Sequence, residues 1–214
     1  MPRFSFRLWL LPDAAGIETY VYGHLNPFPE LYHLIRLAGI RGYTIWLDGC
    51  DLFLTREADE IGMGETLDMT NPVHRQWADT MGPLFDKENG HEIAGHPSEV
   101  FRLNSEANPG CAQMTYRGGL VFGLASMEAV AKIYGQMPVG VGTALREAGV
   151  QRQWAWVEDG SLWTYLECDD LAETESLLVA SGPYQAWLGS MSSFFDARTR
   201  REGWRRTREV FRCD

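Results

Sequence analysis

The chain repeats itself at an interval of 110 residues, and this repeat limits the possible folds more than any other feature of the sequence. Shifting the chain by that interval brings together, without a gap, Arg7 with Arg117, Arg36 with Arg146, Trp46 with Trp156, Trp77 with Trp187, Met81 with Met191, Phe85 with Phe195, and Glu99–Arg102 with Glu209–Arg212. Only 8 Trp and 8 Met occur in the 214 residues, so chance agreement is a poor explanation. The sequence therefore predicts two copies of one unit, over 1–104 and 112–214.

Each copy is predicted to contain strand, helix, strand, strand, helix and strand. In the first copy, Phe4 to Leu11 alternates as a strand does, and Leu31 to Ala38 has helical spacing that ends at Gly39. The turn signal Asp48 to Asp51 joins two further strands in a hairpin, and Val73 to Phe85 is helical again. This order predicts an α+β fold built from ferredoxin-like βαββαβ repeats.

A single sheet of this kind leaves strand edges and one apolar face exposed. Pairing two copies face to face would hide both. Because both copies lie in one chain, we expect a pseudo-dimer that is a monomer or a weak homodimer. Each copy is then free to change separately, since the strict identity of a homodimer no longer applies.

The first copy carries a phenol and an imidazole one helical turn apart. Tyr20 and His24 are separated by four residues, so both side chains leave one face of a helix. Pro27 and Pro29 cannot lie inside a continuing helix, although proline is favoured at a first helical position. The sequence predicts a helix break near Leu25 to Phe28, a new helix from about Pro29, and His24 at a helix end facing a cavity.

The second copy has lost this pair. At the same interval, Tyr20 becomes Val130, His24 becomes Tyr134 and Phe28 becomes Pro138. If chemistry depends on Tyr20 and His24, the chain has one site, and the second copy is a scaffold.

Composition excludes several classes of partner. The net charge of −10 argues against nucleic acid or an anionic membrane, because phosphate binding needs a basic surface. No apolar run reaches membrane length and no signal sequence is recognisable, so we expect a cytoplasmic protein. The four cysteines lack CxxC spacing, which favours reduced thiols over a disulfide frame or a zinc site; they are Cys50, Cys111, Cys168 and Cys213.

The first copy resembles the L-rhamnose mutarotase family throughout its length, and the second copy does so more weakly. The matching segments are Tyr20, His24, Phe28–Leu31, Tyr43–Asp48, Trp77 with Met81, and Glu99–Phe101. The resemblance implies a dimeric α+β barrel, here formed within one chain. It also implies that Tyr20 and His24 bind sugar and transfer protons, and that Trp77 lines the pocket. Leu25 as an insertion, Phe28 in place of Trp, and Ala78 in place of a second Trp are departures from the family pattern.

Anomer interconversion needs a base for the anomeric hydroxyl and an acid for the ring oxygen. Histidine can do either, and His24 is the candidate, while Tyr20 suits a hydrogen-bond or proton donor better than a base. Trp77 and Phe28 would offer flat apolar faces to the C–H groups of the sugar. The predicted function is a mutarotase-like isomerase acting on a sugar or related cyclic hydroxylated compound, with no cofactor or metal.

The sequence is also compatible with two other functions. One is a cofactor-independent cyclase, dehydratase or isomerase of specialised metabolism, because a fold does not determine a function. The other is a small-molecule-binding protein without catalysis. The roles of single residues also have simpler alternatives: His24 beside Tyr20 could be structural, and Trp77 could be core, since its counterpart Trp187 persists where the His is lost.

Two further motifs are interpreted as loops. His91 and His96 are five residues apart, with Gly95 and Pro97 nearby, so a metalloprotease helix is not expected. A basic tract near the end of the chain is interpreted as a solvated loop, with an acidic ligand or pairing with the acidic first copy as alternatives; it comprises Arg198, Arg200, Arg201, Arg205, Arg206 and Arg208.

Overall fold

The computed structural model describes residues 2–60, 68–87, 97–103, 110–121, 124–158 and 160–213, without the side chains of 124–126. Its contacts divide the chain into two compact units. Unit 1 comprises Met1–His96 and Arg208–Asp214, and unit 2 comprises Pro97–Thr207. The two copies predicted over 1–104 and 112–214 stay a prediction. The compact units have different bounds, because the last segment of each predicted copy belongs to the other unit.

The described residues form strands and α-helices in the following order: β1 (Arg3–Trp9), α1 (Ala14–Leu25), α2 (Pro29–Leu37), β2 (Arg41–Asp48), β3 (Asp51–Glu57), α3 (Pro72–Met81), β4 (Ser98–Leu103), β5 (Ala112–Gly119), α4 (Leu124–Gly135), α5 (Val139–Glu147), β6 (Val150–Glu158), β7 (Ser161–Cys168), α6 (Leu171–Ala180), α7 (Gly182–Ser190), α8 (Ala197–Glu202), β8 (Arg205–Arg206) and β9 (Arg208–Cys213). Short 3-10 turns follow α3 and α7.

The sheet of unit 1 has the strand order β1-β3-β2-β9, and neighbouring strands run antiparallel. The predicted hairpin joins β2 to β3 through Gly49, whose φ of 68° is a conformation that glycine adopts readily. The edge strand β9 comes from the end of the chain and pairs with β2. The strand predicted to close the first copy, β4, instead pairs with β6 in unit 2. Both segments carry Glu-Val-Phe-Arg, so local sequence cannot assign either one to a sheet.

Unit 2 has the strand order β4-β6-β7-β5-β8. Its last strand, β8, has two residues and pairs with β5. The basic tract is therefore not the loop predicted above: its first part is helix α8, and Arg205 and Arg206 form β8. Helix α8 forms because the Asp196 side chain accepts a hydrogen bond from the Thr199 amide at 2.6 Å.

The core of unit 1 lies between one face of its sheet and helices α1 and α3. Its buried residues are Phe6, Leu10, Tyr20, Val21, Ile45, Leu47, Leu52, Leu54, Met81, Val210, Phe211 and Cys213. Gly23 permits close packing of these helices, since a Cβ there would lie 2.0 Å from the Met81 methyl group. Helix α2 ends as predicted, with Gly39 at a φ of 74°.

The antiparallel sheets with packed helices confirm the predicted α+β class. Across the described ranges, no helix combines the length and apolar character needed to cross a membrane. In the same part of the chain, no group of three or more His, Cys, Asp or Glu residues is placed to hold a metal ion. The proposed loop at His91 to His96 lies outside the described residues.

Candidate functional site

Helix α1 positions the predicted phenol and imidazole. Asp13 caps its N-terminus, accepting a hydrogen bond from the Gly16 amide at 2.7 Å. The helix ends at Leu25, and α2 begins with Pro29 at its first turn, so the predicted break is confirmed. Tyr20 is 1% exposed and His24 6% exposed. Both therefore belong to the interior of unit 1.

The four predicted site residues lie together. The ring centroids of Tyr20 and His24 are 4.0 Å apart, and His24 meets Trp77 of α3 edge-on at 4.8 Å. Phe28, just before α2, meets Trp77 at 6.0 Å. We call these four residues, together with four further rings, the His24 cluster; the further rings are Tyr32, Tyr43, Phe85 and Phe211. Contact between α1, α2 and α3 thus produces the aromatic surroundings expected of the site.

Sequence reasoning missed four members of the His24 cluster. Phe211 of β9 lies 5.7 Å from His24, and Tyr32 of α2 stacks on Phe211 at 5.6 Å. Tyr43 of β2 also contacts Phe211 at 5.6 Å, and Phe85 contacts Tyr20 at 5.8 Å. Tyr43 was part of a recognised motif and could have been found. Phe211 could not, because its sequence position assigned it to the other copy.

The surroundings of His24 determine its protonation. Its Nδ1–H donates to the backbone carbonyl of Tyr20 at 2.9 Å, so the neutral ring carries its lone pair on Nε2. Burial lowers the pKa of His24 to about 4, outweighing the opposite effect of that hydrogen bond. Near pH 7 the imidazole is therefore a neutral base.

The phenols of Tyr20 and Tyr43 keep their protons. Burial raises the pKa of Tyr20 well above its usual value, and the neighbouring Tyr43 raises it further. Burial raises the pKa of Tyr43 to about 12, although the charge of Arg56 acts in the other direction. Arg56 is buried, with its guanidinium 4.2 Å from the centre of the Phe6 ring. Both phenols thus keep their protons and can donate hydrogen bonds.

Unit 2 presents a related arrangement without the imidazole. Tyr134, which replaces His24, lies 4.8 Å from Trp187 and 5.7 Å from Phe101. The corresponding distances from His24 in unit 1 are 4.8 Å to Trp77 and 5.7 Å to Phe211. The ring packing is preserved while the titratable group differs. A Trp at this place consequently packs well whether or not a His lies beside it.

Comparison with known proteins shows similarity in sequence and similarity in fold. The sequence model described as L-rhamnose mutarotase matches residues 3–103. The chain is 32% identical over 107 residues to an L-rhamnose mutarotase of Rhizobium meliloti (strain 1021), an alignment that covers 48% of this chain and 99% of that protein.

Two solved structures resemble the chain in fold. A candidate monooxygenase of Fusobacterium nucleatum has a TM-score of 0.57 at 7% identity, covering 99% of this chain and 92% of that one. A candidate monooxygenase of Lactobacillus acidophilus NCFM has a TM-score of 0.51 at 8% identity, covering 99% and 94%. At such low identity, these likenesses concern the fold alone.

Proposed function

Because the chain belongs to the L-rhamnose mutarotase family, we propose that unit 1 interconverts the α and β anomers of a sugar or related cyclic hydroxylated compound. The observation that carries the proposal is the buried imidazole of His24, neutral near pH 7, with the Tyr20 phenol at a ring distance of 4.0 Å. A base and a hydrogen-bond donor side by side are what opening a cyclic hemiacetal requires.

The proposed reaction moves two protons and makes no net chemical change. Nε2 of His24 takes the proton of the anomeric hydroxyl, while the Tyr20 phenol donates to the ring oxygen. The bond between the anomeric carbon and the ring oxygen breaks, which leaves an aldehyde and a free hydroxyl. Rotation of the aldehyde and closure on its other face reverse both transfers. These steps need no metal, nucleotide or oxidant.

The aromatic rings account for binding in this proposal. One face of a pyranose presents C–H groups, which pack favourably on flat rings such as Trp77 and Phe28. The surrounding low-polarity environment also strengthens the hydrogen bonds made by Tyr20 and His24. In unit 2, Tyr134 replaces the base, so we assign one reactive site to the chain.

The test is anomer exchange observed by saturation-transfer NMR with L-rhamnose, L-fucose and related sugars. We expect the wild-type protein to accelerate exchange for at least one sugar and His24→Ala to reduce this by roughly 100-fold or more. Tyr134→Phe is the matched control in unit 2, and it should leave the rate unchanged. Absence of acceleration for every sugar by the folded wild-type protein would refute the proposal.

The aromatic character of the His24 cluster also favours a second candidate function. Two rings, Trp77 and Phe211, contact the imidazole directly. Three more rings contact other members of the cluster; they are Phe28, Tyr32 and Phe85. Such a lining suits a flatter and more apolar ring than a sugar, as in a cofactor-independent cyclase, dehydratase or isomerase of specialised metabolism. Binding of aromatic ring compounds without sugar exchange would favour this function. If Tyr20→Phe and His24→Ala bind the ligand with the same affinity as the wild type, and no turnover is found, the chain is a binding protein without catalysis.

A further inference from the structure

Unit 2 contains a buried hydrogen-bond donor and a buried acceptor that lack a partner among the described residues. They are Nε1 of Trp187 and Oε1 of Gln153, whose side chains are 5% and 3% exposed. Buried polar atoms of folded proteins are nearly always paired, because an unpaired one has lost its hydrogen bonds to water without compensation. These two atoms therefore need an explanation.

The two atoms belong to residues on the same side of the unit 2 sheet. Trp187 packs edge-on against Tyr134 at 4.8 Å, and Tyr134 contacts Phe101 at 5.7 Å. Phe101 is directly opposite Ala155 in the pairing of β4 with β6. Gln153 precedes Ala155 by two residues, so its side chain leaves the same face of the sheet. Trp187 therefore packs against Tyr134, and Gln153 lies on the face of the sheet that carries Phe101, the other ring that Tyr134 contacts.

This region is more open than its counterpart in unit 1. There, Phe211 is buried and Tyr32 stacks on it at 5.6 Å. The residue at the position of Tyr32 in unit 2 is Gly142, and Phe101 is only half-buried. Gly142 carries no ring that could stack on Phe101, and part of the Phe101 side chain remains accessible.

We propose that unit 2 binds a neutral hydroxylated small molecule, a sugar or a polyol, beside Tyr134. One ligand hydroxyl accepts from Trp187 Nε1–H and donates to Gln153 Oε1, while a C–H face lies on Phe101. A hydroxyl fits because it is both a donor and an acceptor. The ligand is uncharged because both atoms belong to neutral groups, and burying a charge without a counter-charge is costly.

The site is one for binding and not for turnover. Burial keeps the pKa of Tyr134 well above its usual value, and nearby Tyr184, 5.9 Å from Trp187, has a pKa raised by burial to about 12. Neither phenol can therefore act as a base near neutral pH. Both unpaired atoms are shielded from bulk water, so only a group that enters the interior of unit 2 can pair with them.

The experiment follows the indole N–H signals of the 15N-labelled full chain during titration with L-rhamnose, L-fucose, D-glucose and inositol. The signal that disappears in Trp187→Phe belongs to Trp187. We expect it to shift saturably with at least one ligand. Gln153→Leu should weaken that response by about tenfold or more, since the ligand hydroxyl loses its acceptor. Trp77→Phe is the matched control in unit 1, and it should leave the response unchanged.

Folding of the variants can be checked separately. Gln153→Leu removes an unpaired buried acceptor, so its thermal midpoint should equal or exceed that of the wild type. If it does not, Trp187→Phe provides the second variant, with binding then measured by saturation-transfer difference NMR and expected to weaken similarly.

Three results would overturn the proposal: a Trp187 signal that no ligand moves, an unchanged response in Gln153→Leu, or an ordered water that pairs both atoms and that no sugar displaces. The proposal does not rest on catalysis in unit 1. His24→Ala should abolish anomer exchange while the Trp187 response persists, so failure of one proposal can be distinguished from failure of the other.

Discussion

His24 stays neutral near pH 7 because the rings around it exclude water, and this burial outweighs its Nδ1–H hydrogen bond to the Tyr20 carbonyl, which favours the charged form. Tyr20 stays protonated for the same reason, since burial disfavours the charged form of both groups. Sequence alone predicted which two residues meet, because a separation of four places them on one helix face. It could not predict their protonation, which depends on rings supplied by α2, α3 and β9.

The proposed mechanism makes the activity depend on the neutral form of His24. Enzyme-catalysed exchange should therefore rise with pH through about 4, following the lowered pKa of His24, and be level from mildly acidic to neutral pH. The measurement is kcat/KM from NMR exchange as a function of pH, after subtraction of the spontaneous rate. An inflection near 6.5, the ordinary value for histidine, would contradict a buried neutral base.

The same group makes folding stability depend on pH. The pKa of His24 is about 4 in the folded protein and 6.5 in the unfolded chain, so between these values the unfolded chain binds more protons. Stability from this group is complete above pH 6.5 and is lost as pH falls towards 4, by about 3 kcal/mol in total. Urea unfolding of wild type and His24→Phe across this range tests it. Parallel stability curves would show that His24 is not the cause.

At the scale of elements, helices and turns follow local signals closely. Gly39 ends α2, Gly49 turns the hairpin, and Pro29 begins α2, each at a position where backbone geometry alone favours that residue. Helix α8 was missed because its six residues show little apolar periodicity, and its capping residue Asp196 was the one available signal. Short helices held by caps and tertiary contacts are difficult to predict from pattern.

Close packing at Gly119 shows how such a helix is held. A Cβ there would lie 2.2 Å from Oδ2 of Asp196, and the Gly119 amide donates to the Thr199 hydroxyl at 2.8 Å. We expect Gly119→Ala to displace the cap and lower the free energy of unfolding by roughly 1–3 kcal/mol. Urea denaturation measures this. Gly135→Ala, where nothing lies within 4 Å, is the control and should be neutral or stabilising.

At the scale of the whole molecule, each unit is completed by a strand distant in sequence. Strand β9, at the end of the chain, pairs with β2 and brings Phe211 to His24. Strand β4 pairs with β6 and brings Phe101 to Tyr134. Two segments with the same Glu-Val-Phe-Arg sequence therefore serve opposite units. The site in unit 1 depends on the last residues of the chain.

This connectivity predicts unequal effects at two equivalent positions. Phe211→Ala should lower the free energy of unfolding by about 3–5 kcal/mol and reduce anomer exchange, because a buried ring against His24 is lost. Phe101→Ala removes a half-buried ring from unit 2, so it should cost less stability and leave exchange unchanged. Chemical denaturation and NMR exchange on both variants provide the comparison. The reverse ranking would mean that β4 closes the sheet of unit 1.

The sequence by itself determined the α+β class, the hairpin and the helix break, and it also determined that Tyr20 and His24 share one helix face. These features depend on periodicity, glycine and proline geometry, and residue spacing, which are local properties. Tertiary structure alone decided which closing strand completes each sheet, that Phe211, Tyr32 and Tyr43 surround His24, and that the imidazole is neutral. The reason is that strand pairing and burial depend on segments that meet only after folding, and two segments of the same sequence carry no local information to distinguish their partners.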